Sequence, residues 1–205
     1  MEGIKMKRLI IQTYVKDDID RGTLNTYKRF PKLERLSRKC FERYAKSHGA
    51  DFEFFEGDDV HNTAHWARMV MFDRLEYDEV LYVDCDILID PRRYDDNIFD
   101  YAGQGVNKVH FYNYSFYDMI NAGVTKWTRA ECEIMGEHIS KYYHPTHNQP
   151  AINECFKRHV GEFTYLPYKF NVTHKPTDDI VFQHYAGSKK AGSALKQCPI
   201  WKYYK

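Results

Sequence analysis

The segment Val80-Leu81-Tyr82-Val83-Asp84-Cys85-Asp86-Ile87-Leu88-Ile89-Asp90-Pro91-Arg92 constrains this chain more than any other. An apolar run that continuous reads as a strand buried on both faces, as in parallel sheets covered by helices on either side. Two carboxylates, Asp84 and Asp86, sit where it ends. On an extended chain they would share a side, about 7 Å apart at Cα, with Cys85 facing the other way. In open α/β sheets, ligands gather at the carboxyl ends of strands. Paired hard oxygens in that place suit Mg2+ or Mn2+ carrying a phosphorylated ligand.

A bare D-x-D is a weak signal. The chain holds 17 Asp in 205 residues, so about one or two such triplets arise by chance. Asp18-Ile19-Asp20 is one, and it lies in the polar stretch Lys16-Asp17-Asp18-Ile19-Asp20-Arg21-Gly22, a solvated loop by composition. The copy at Asp84 differs because an apolar strand delivers it.

A chain of 205 residues is expected to form one domain. The net charge of +1, with both signs mixed along the chain, leaves no electrostatic footprint for nucleic acid. No apolar run reaches the ~18 residues of a membrane span, and the start Met1-Glu2-Gly3-Ile4-Lys5-Met6-Lys7-Arg8 lacks the apolar core of a signal peptide. Cys40, Cys85, Cys132, Cys155 and Cys198 are an odd, scattered set. They read as reduced thiols of a cytoplasmic protein, neither a disulfide framework nor a zinc site.

Strand-like and helix-like segments alternate, which predicts α/β architecture. Arg8 to Val15 reads as a first strand. Pro31 opens a helix whose apolar stripe is Leu33, Leu36, Cys40 and Tyr44, with Gly49 as its stop. Asp51 to Phe55 reads as a strand, and Asn62 or Thr63 as the cap of a helix running to about Leu75. Further strands are expected at Lys108–Tyr112, Met119–Thr125, Glu162–Leu166 and Ile180–His184. Helices are expected from Thr128 to about Tyr143 and from Pro150 to Arg158.

Five segments in order resemble retaining sugar-nucleotide transferases of the GT-A fold, specifically glycosyltransferase family 8. Trp66-Ala67-Arg68-Met69 ahead of the Val80–Asp90 run resembles the family's arginine-bearing helix and D-x-D strand. Asn121-Ala122-Gly123-Val124 is similar to its Asn-Ala-Gly strand end. His147-Asn148-Gln149-Pro150-Ala151-Ile152-Asn153 resembles its Asp-Gln-x-x-x-Asn motif, Phe170-Asn171 its Phe-Asn pair, and His184-Tyr185-Ala186-Gly187-Ser188-Lys189-Lys190 its H-x-x-G-x-x-K. The likeness spans about residues 9–190 and is closest to compact domains encoded by large algal viruses.

The resemblance implies a single GT-A domain over 1–205 with a central, mostly parallel mixed sheet flanked by helices. Residues 1–105 or so would bind the nucleotide sugar, and 106–205 would face the acceptor. It implies Mn2+ or Mg2+ held by Asp84, Asp86 and His184, a UDP-sugar donor with UDP-glucose the first candidate, and a glycan or glycoprotein acceptor. Arg68 would contact the donor phosphate or sugar, and Gly187 and Lys190 the phosphate, as close-approach backbone and point charge. Thr13 and Tyr14 would face the nucleotide, Tyr14 stacking on the base or serving as core. Asn121 and Gln149 would address the sugar hydroxyls and the anomeric face, each offering a donor and an acceptor.

Two departures carry consequences. Asn148 stands where the family has a carboxylate, and an amide is no nucleophile. The catalytic set Gln149, Asn148 and Arg68 therefore implies front-face retention without a covalent intermediate at position 148, the leaving phosphate helping to deprotonate the acceptor. Ala191-Gly192 replaces the family's Pro-Trp, so closure over the donor differs. Two other readings stand beside this one. One is a phosphatase of the haloacid dehalogenase type with Asp84 as nucleophile and Asp86 as general acid; the other is a non-catalytic sugar-nucleotide-binding protein.

Overall fold

The two-sided burial expected of the central strand is the organising feature of the fold. The computed structural model describes residues 6–14, 30–56, 66–107, 119–143, 148–173, 178–185 and 200–204. Strand β1 (Arg8–Tyr14) and helix α1 (Phe30–Ser47) are followed by strand β2 (Asp51–Glu56), a 3-10 helix over Ala67–Asp73, and strand β3 (Glu79–Val83). Strands β4 (Ile87–Ile89), β5 (Gly105–Asn107) and β6 (Ile120–Thr128) come next. Helix α2 (Arg129–His138), helix α3 (Asn148–His159) and strand β7 (Phe182–His184) complete the regular elements that matter for the site.

Five strands form one sheet in the order β2-β1-β3-β6-β5. β1 pairs in parallel with β2 and β3, while β6 runs antiparallel to both β3 and β5. Four strands therefore point one way and β6 alone points back. Side chains alternate across this sheet with period two. Leu9, Ile11, Val80 and Tyr82 pack with Met71, Phe72, Trp127 and helices α2 and α3 on one face. Ile10, Leu81 and Val83 pack with Leu33, Phe41 and Tyr44 of α1, and with β4 and β7, on the other. That gives a three-layer α/β domain with a mostly parallel central sheet.

Several local expectations hold. Helix α1 buries Leu33, Cys40 and Tyr44 of the predicted stripe with Leu36 half-buried, and Gly49, at φ 64°, ends it. Ala50 N–H donates to the Ala45 carbonyl and Gly49 N–H to that of Lys46, the paired bonds of a Schellman stop. Thr128 caps α2 in a reciprocal capping box with Glu131, an arrangement that contributes about 1 kcal/mol.

Others need correction. The run from Val80 to Ile89 is two strands, not one: β3 ends at Val83, Asp84–Asp86 turn, and β4 joins β7 in a separate two-stranded sheet. The apolarity of Ile87-Leu88-Ile89 reflects packing against α1, and not continuation of the same strand. The helix expected to reach Leu75 is a short 3-10 turn ending at Asp73, and its candidate caps Asn62 and Thr63 lie outside the described residues. Glu162–Leu166 makes only an isolated bridge, Tyr165 to Gly105. The strand expected at Lys108–Tyr112 and the Asp18/Asp20 pair also fall outside the described residues. No described helix is long and apolar enough to cross a membrane.

Candidate functional site

The site forms where the carboxyl ends of β1 and β3 meet the start of the antiparallel strand β6. Residues 80, 82 and 84 continue one face of β3, so Asp84 emerges on the side covered by the Ala67–Asp73 helix. Arg68 from that helix lies 3.1 Å from Asp84 Oδ1 through Nη2 and donates from Nη1 to the Ala122 carbonyl at 2.7 Å. The Tyr82 hydroxyl donates to the same Asp84 oxygen at 2.7 Å and pairs with the Thr13 hydroxyl at 3.2 Å. One oxygen of Asp84 is thereby anchored, while Oδ2 lies on the side of His184.

The turn at Cys85 swings Asp86 toward β7, where Ile87 pairs with His184 and the Tyr185 N–H donates to the Asp86 carbonyl at 3.0 Å. His184 Nε2 ends 3.6 Å from Asp84 Oδ2 and 3.3 Å from Asp86 Oδ1. Asp84, Asp86 and His184 each offer one ligand atom within 4.8 Å of the others. Neighbouring ligands of an octahedral ion with bonds near 2.1 Å lie about 3.0 Å apart, so His184 Nε2, at 3.3 Å from Asp86 and 3.6 Å from Asp84, is near that spacing from both carboxylates. The turn, not an extended strand, is what lets both carboxylates converge.

Charge argues the same way. Asp84 pairs with the Arg68 guanidinium, and two carboxylates brought to one site are an arrangement that a cation stabilises. Burial works against the charge on Arg68, yet Asp84 first, then Tyr82 and Asp86, hold its pKa above the ordinary value. Arg68 is therefore a permanent cation already engaged with Asp84. Burial also holds the Tyr82 phenol well above its usual pKa, keeping it a proton donor to Asp84. The chemistry of the set, two hard carboxylate oxygens and one imidazole, fits Mn2+ or Mg2+.

A second layer supports the triad. His184 Nδ1 is 2.8 Å from Asn171 Oδ1, Asn171 Nδ2 donates to Asn121 Oδ1 at 3.0 Å, and the Gly123 N–H donates to that same oxygen at 2.9 Å. Gly123 is there for space: a Cβ on it would come 2.4 Å from His184 Cε1.

The structure brings Thr13, Arg68, Asp84, Asp86, Asn121, Gln149 and His184 to one edge of the sheet. Gln149 accepts from the Ala122 N–H at 3.1 Å, and Asn153 brackets Ile120, accepting from its N–H at 2.8 Å. Asn148 is buried at the first turn of α3. Tyr14 is half-buried with its ring 6.4 Å from that of Phe54, nearly parallel. Gly187 and Lys190 lie outside the described residues. Asp178 and Asp179 occupy an exposed turn ahead of β7, apart from the triad. Sequence reasoning missed Tyr82 and gave Asn171 no role. Tyr82 was reachable, because two residues before Asp84 on a strand is the same face.

No protein-family model and no curated protein matches the chain by sequence. Among solved structures, it is similar to a glycosyltransferase involved in the glycosylation of the major capsid of PBCV-1. Identity is 15% and the TM-score 0.62, over 90% of this chain and 95% of that one. It is also similar to the glycosyltransferase GlyE of Streptococcus pneumoniae TIGR4, at 15% identity and a TM-score of 0.56, over 98% of this chain and 60% of that one. The apo form of GlyE gives 0.57 at the same identity. Likeness at this level is likeness of fold: the chain folds as a GT-A domain.

Proposed function

We propose that this chain is a metal-dependent glycosyltransferase, related to glycosyltransferase family 8, that moves a hexosyl group from a UDP-sugar to a glycan or glycoprotein acceptor with retention of configuration. One observation carries the reading: Asp84, Asp86 and His184 converge at the ligand-binding edge of a GT-A sheet. These residues would hold Mn2+ or Mg2+. A divalent cation there supplies electrostatic stabilisation of negative charge growing on a leaving diphosphate.

The protein's own groups then divide the work. Residues up to about 105 supply most of the donor side, with Thr13 and Tyr14 near the nucleotide and UDP-glucose the first donor to try. Arg68 orients Asp84 and adds positive charge behind the diphosphate. Asn121 and Gln149 stand on the acceptor-facing half, close enough to the triad to address sugar hydroxyls. In the transfer, the bond from the anomeric carbon to the diphosphate oxygen breaks and its electron pair leaves with UDP. The acceptor oxygen bonds to the anomeric carbon on the same face, and its proton passes to the departing phosphate. Asn148 supplies no nucleophile, so no glycosyl-enzyme forms there. Gly187 and Lys190 are proposed to meet the diphosphate.

The test is donor cleavage. An open acceptor cleft admits water, so slow Mn2+-dependent hydrolysis is expected for the correct member of a UDP-sugar panel. Glycoprotein acceptors join the panel because the PBCV-1 neighbour is involved in capsid glycosylation. Arg68→Ala and Lys190→Ala are each expected to slow the reaction roughly 10–1000-fold. The released or transferred sugar should keep the donor's anomeric configuration by NMR. An inverted product, or equal turnover in excess chelator, overturns the reading.

A further inference from the structure

We propose that Asn121 and Asn171 are positioning residues that lock His184 as the Nδ1–H tautomer, so that Nε2 presents its lone pair to the carboxylates. The Gly123 backbone N–H can only donate, so the Asn121 atom 2.9 Å away is the amide oxygen. That oxygen also faces the Asn171 side chain at 3.0 Å, which must therefore turn its NH2 toward it. The other end of the Asn171 amide is then its oxygen, and it lies 2.8 Å from His184 Nδ1. An oxygen with no hydrogen there requires Nδ1 to carry one. In a neutral ring this leaves Nε2 bare, 3.3 Å from Asp86 and 3.6 Å from Asp84.

Each link is held by the fold. Asn121 and Gly123 lie on β6, whose Val124 pairs with Val83 and whose Gly123 carbonyl accepts from the Asp84 N–H at 2.8 Å. Asn171 is delivered beside β7 because the His184 N–H donates to the Val172 carbonyl at 2.9 Å. Asn171 and His184 are 2% and 5% exposed, so water does not compete freely for these bonds. A neutral relay has a chemical purpose. A carboxylate behind the imidazole would raise its basicity, but it would add a third negative charge to a site that already holds two. An amide fixes the tautomer without that charge.

The inference rests on the proposed metal site for its purpose, though not for its geometry, and two measurements separate the cases. The first is a long-range 1H–15N correlation spectrum of the metal-free protein labelled with 15N-histidine at about pH 8, where an ordinary imidazole is neutral. His184 signals are identified by their loss in His184→Ala. Protonated Nδ1 with bare Nε2 is expected, and a bare Nδ1 with Nε2–H overturns the relay whatever the protein does with metal. The second is Mn2+ affinity by titration calorimetry. Asn171→Leu, which keeps neither the acceptor for Nδ1–H nor the donor to Asn121, is expected to weaken binding roughly 10–100-fold. Wild-type affinity in Asn171→Leu overturns the positioning role. If the spectrum shows the Nδ1–H tautomer but wild type binds no Mn2+, the relay stands and the proposed metal site falls.

Discussion

Gly123→Ala isolates the steric demand of the triad. Gly123 sits in β6 without the positive φ found at Gly49, Gly103 and Gly161, so no backbone strain accompanies the change. A methyl group there would lie 2.4 Å from His184 Cε1, 2.9 Å from His184 Nδ1 and 2.9 Å from Asp84 Oδ2. Carbon atoms rest about 3.5–4.0 Å apart, so the imidazole or the strand must move by roughly 1.1–1.6 Å. Metal ligands tolerate displacements of only about 0.2 Å. The ring is buried and tied to Asn171, and it cannot step aside freely. Overpacking of this kind costs about 1–3 kcal/mol. At about 2–4 °C per kcal/mol for a chain of this size, the melting temperature should fall by roughly 2–12 °C, with Mn2+ affinity down by at least about tenfold. Gly136→Ala on α2 is the control, because its nearest neighbours would be at 3.5 and 3.7 Å, ordinary contact. It should gain about 0.5–1 kcal/mol from the helix alone. Calorimetric melting and Mn2+ titration of both variants decide the matter. Unchanged melting and unchanged Mn2+ affinity in Gly123→Ala would refute the packing argument.

Two further predictions concern a buried carboxylate and the thiols. Burial works against the charge of Asp90, yet hydrogen bonds from the Arg92 guanidinium and backbone N–H outweigh it and hold the carboxyl below its usual 3.8. A lowered folded-state pKa stabilises the protein above the unfolded value, and that contribution disappears as pH falls through the folded one. The denaturant midpoints of wild type and Asp90→Asn should therefore converge on acidification from about pH 6 toward pH 3, and a gap independent of pH counts against it. Burial pushes the thiols of Cys132 and Cys155 up to about 12 and about 11 and also raises that of Cys40. Cys85, half-buried in the D-x-D turn, should be alkylated first among these by mass spectrometry, and equal labelling of Cys132 would contradict that order.

How much of this was legible beforehand follows from which physical signals a sequence carries. Burial on alternating faces is periodic, so β1, β3 and the α1 stripe were readable, as were the Thr128 cap and the Gly49 stop. The identity of the triad was readable through the family resemblance. Its geometry was not. Apolarity reports burial without direction, and Asp84-Cys85-Asp86 turns with no Gly or Pro to mark it, so two strands in different sheets read as one. The supporting layer was less visible still. Asn171 meets Asn121 across 50 residues and His184 across 13, separations for which no local pattern exists. Gln149, expected to address sugar, spends its carbonyl on the Ala122 N–H, and Arg68, expected at the donor, is tied to Asp84. In both cases the partner could come only from three dimensions.

The central claim is that Asp84, Asp86 and His184 hold a cation that in turn holds a nucleoside diphosphate. Calorimetric titration of UDP tests it most directly, in Mn2+ and in excess chelator, for wild type and Asp86→Ala. Binding to wild type in Mn2+ alone is expected, with none in chelator and none for Asp86→Ala, whose fold should persist because β3 and β4 are held by their apolar neighbours. UDP binding of equal strength in chelator, or undiminished binding by Asp86→Ala, would contradict the account.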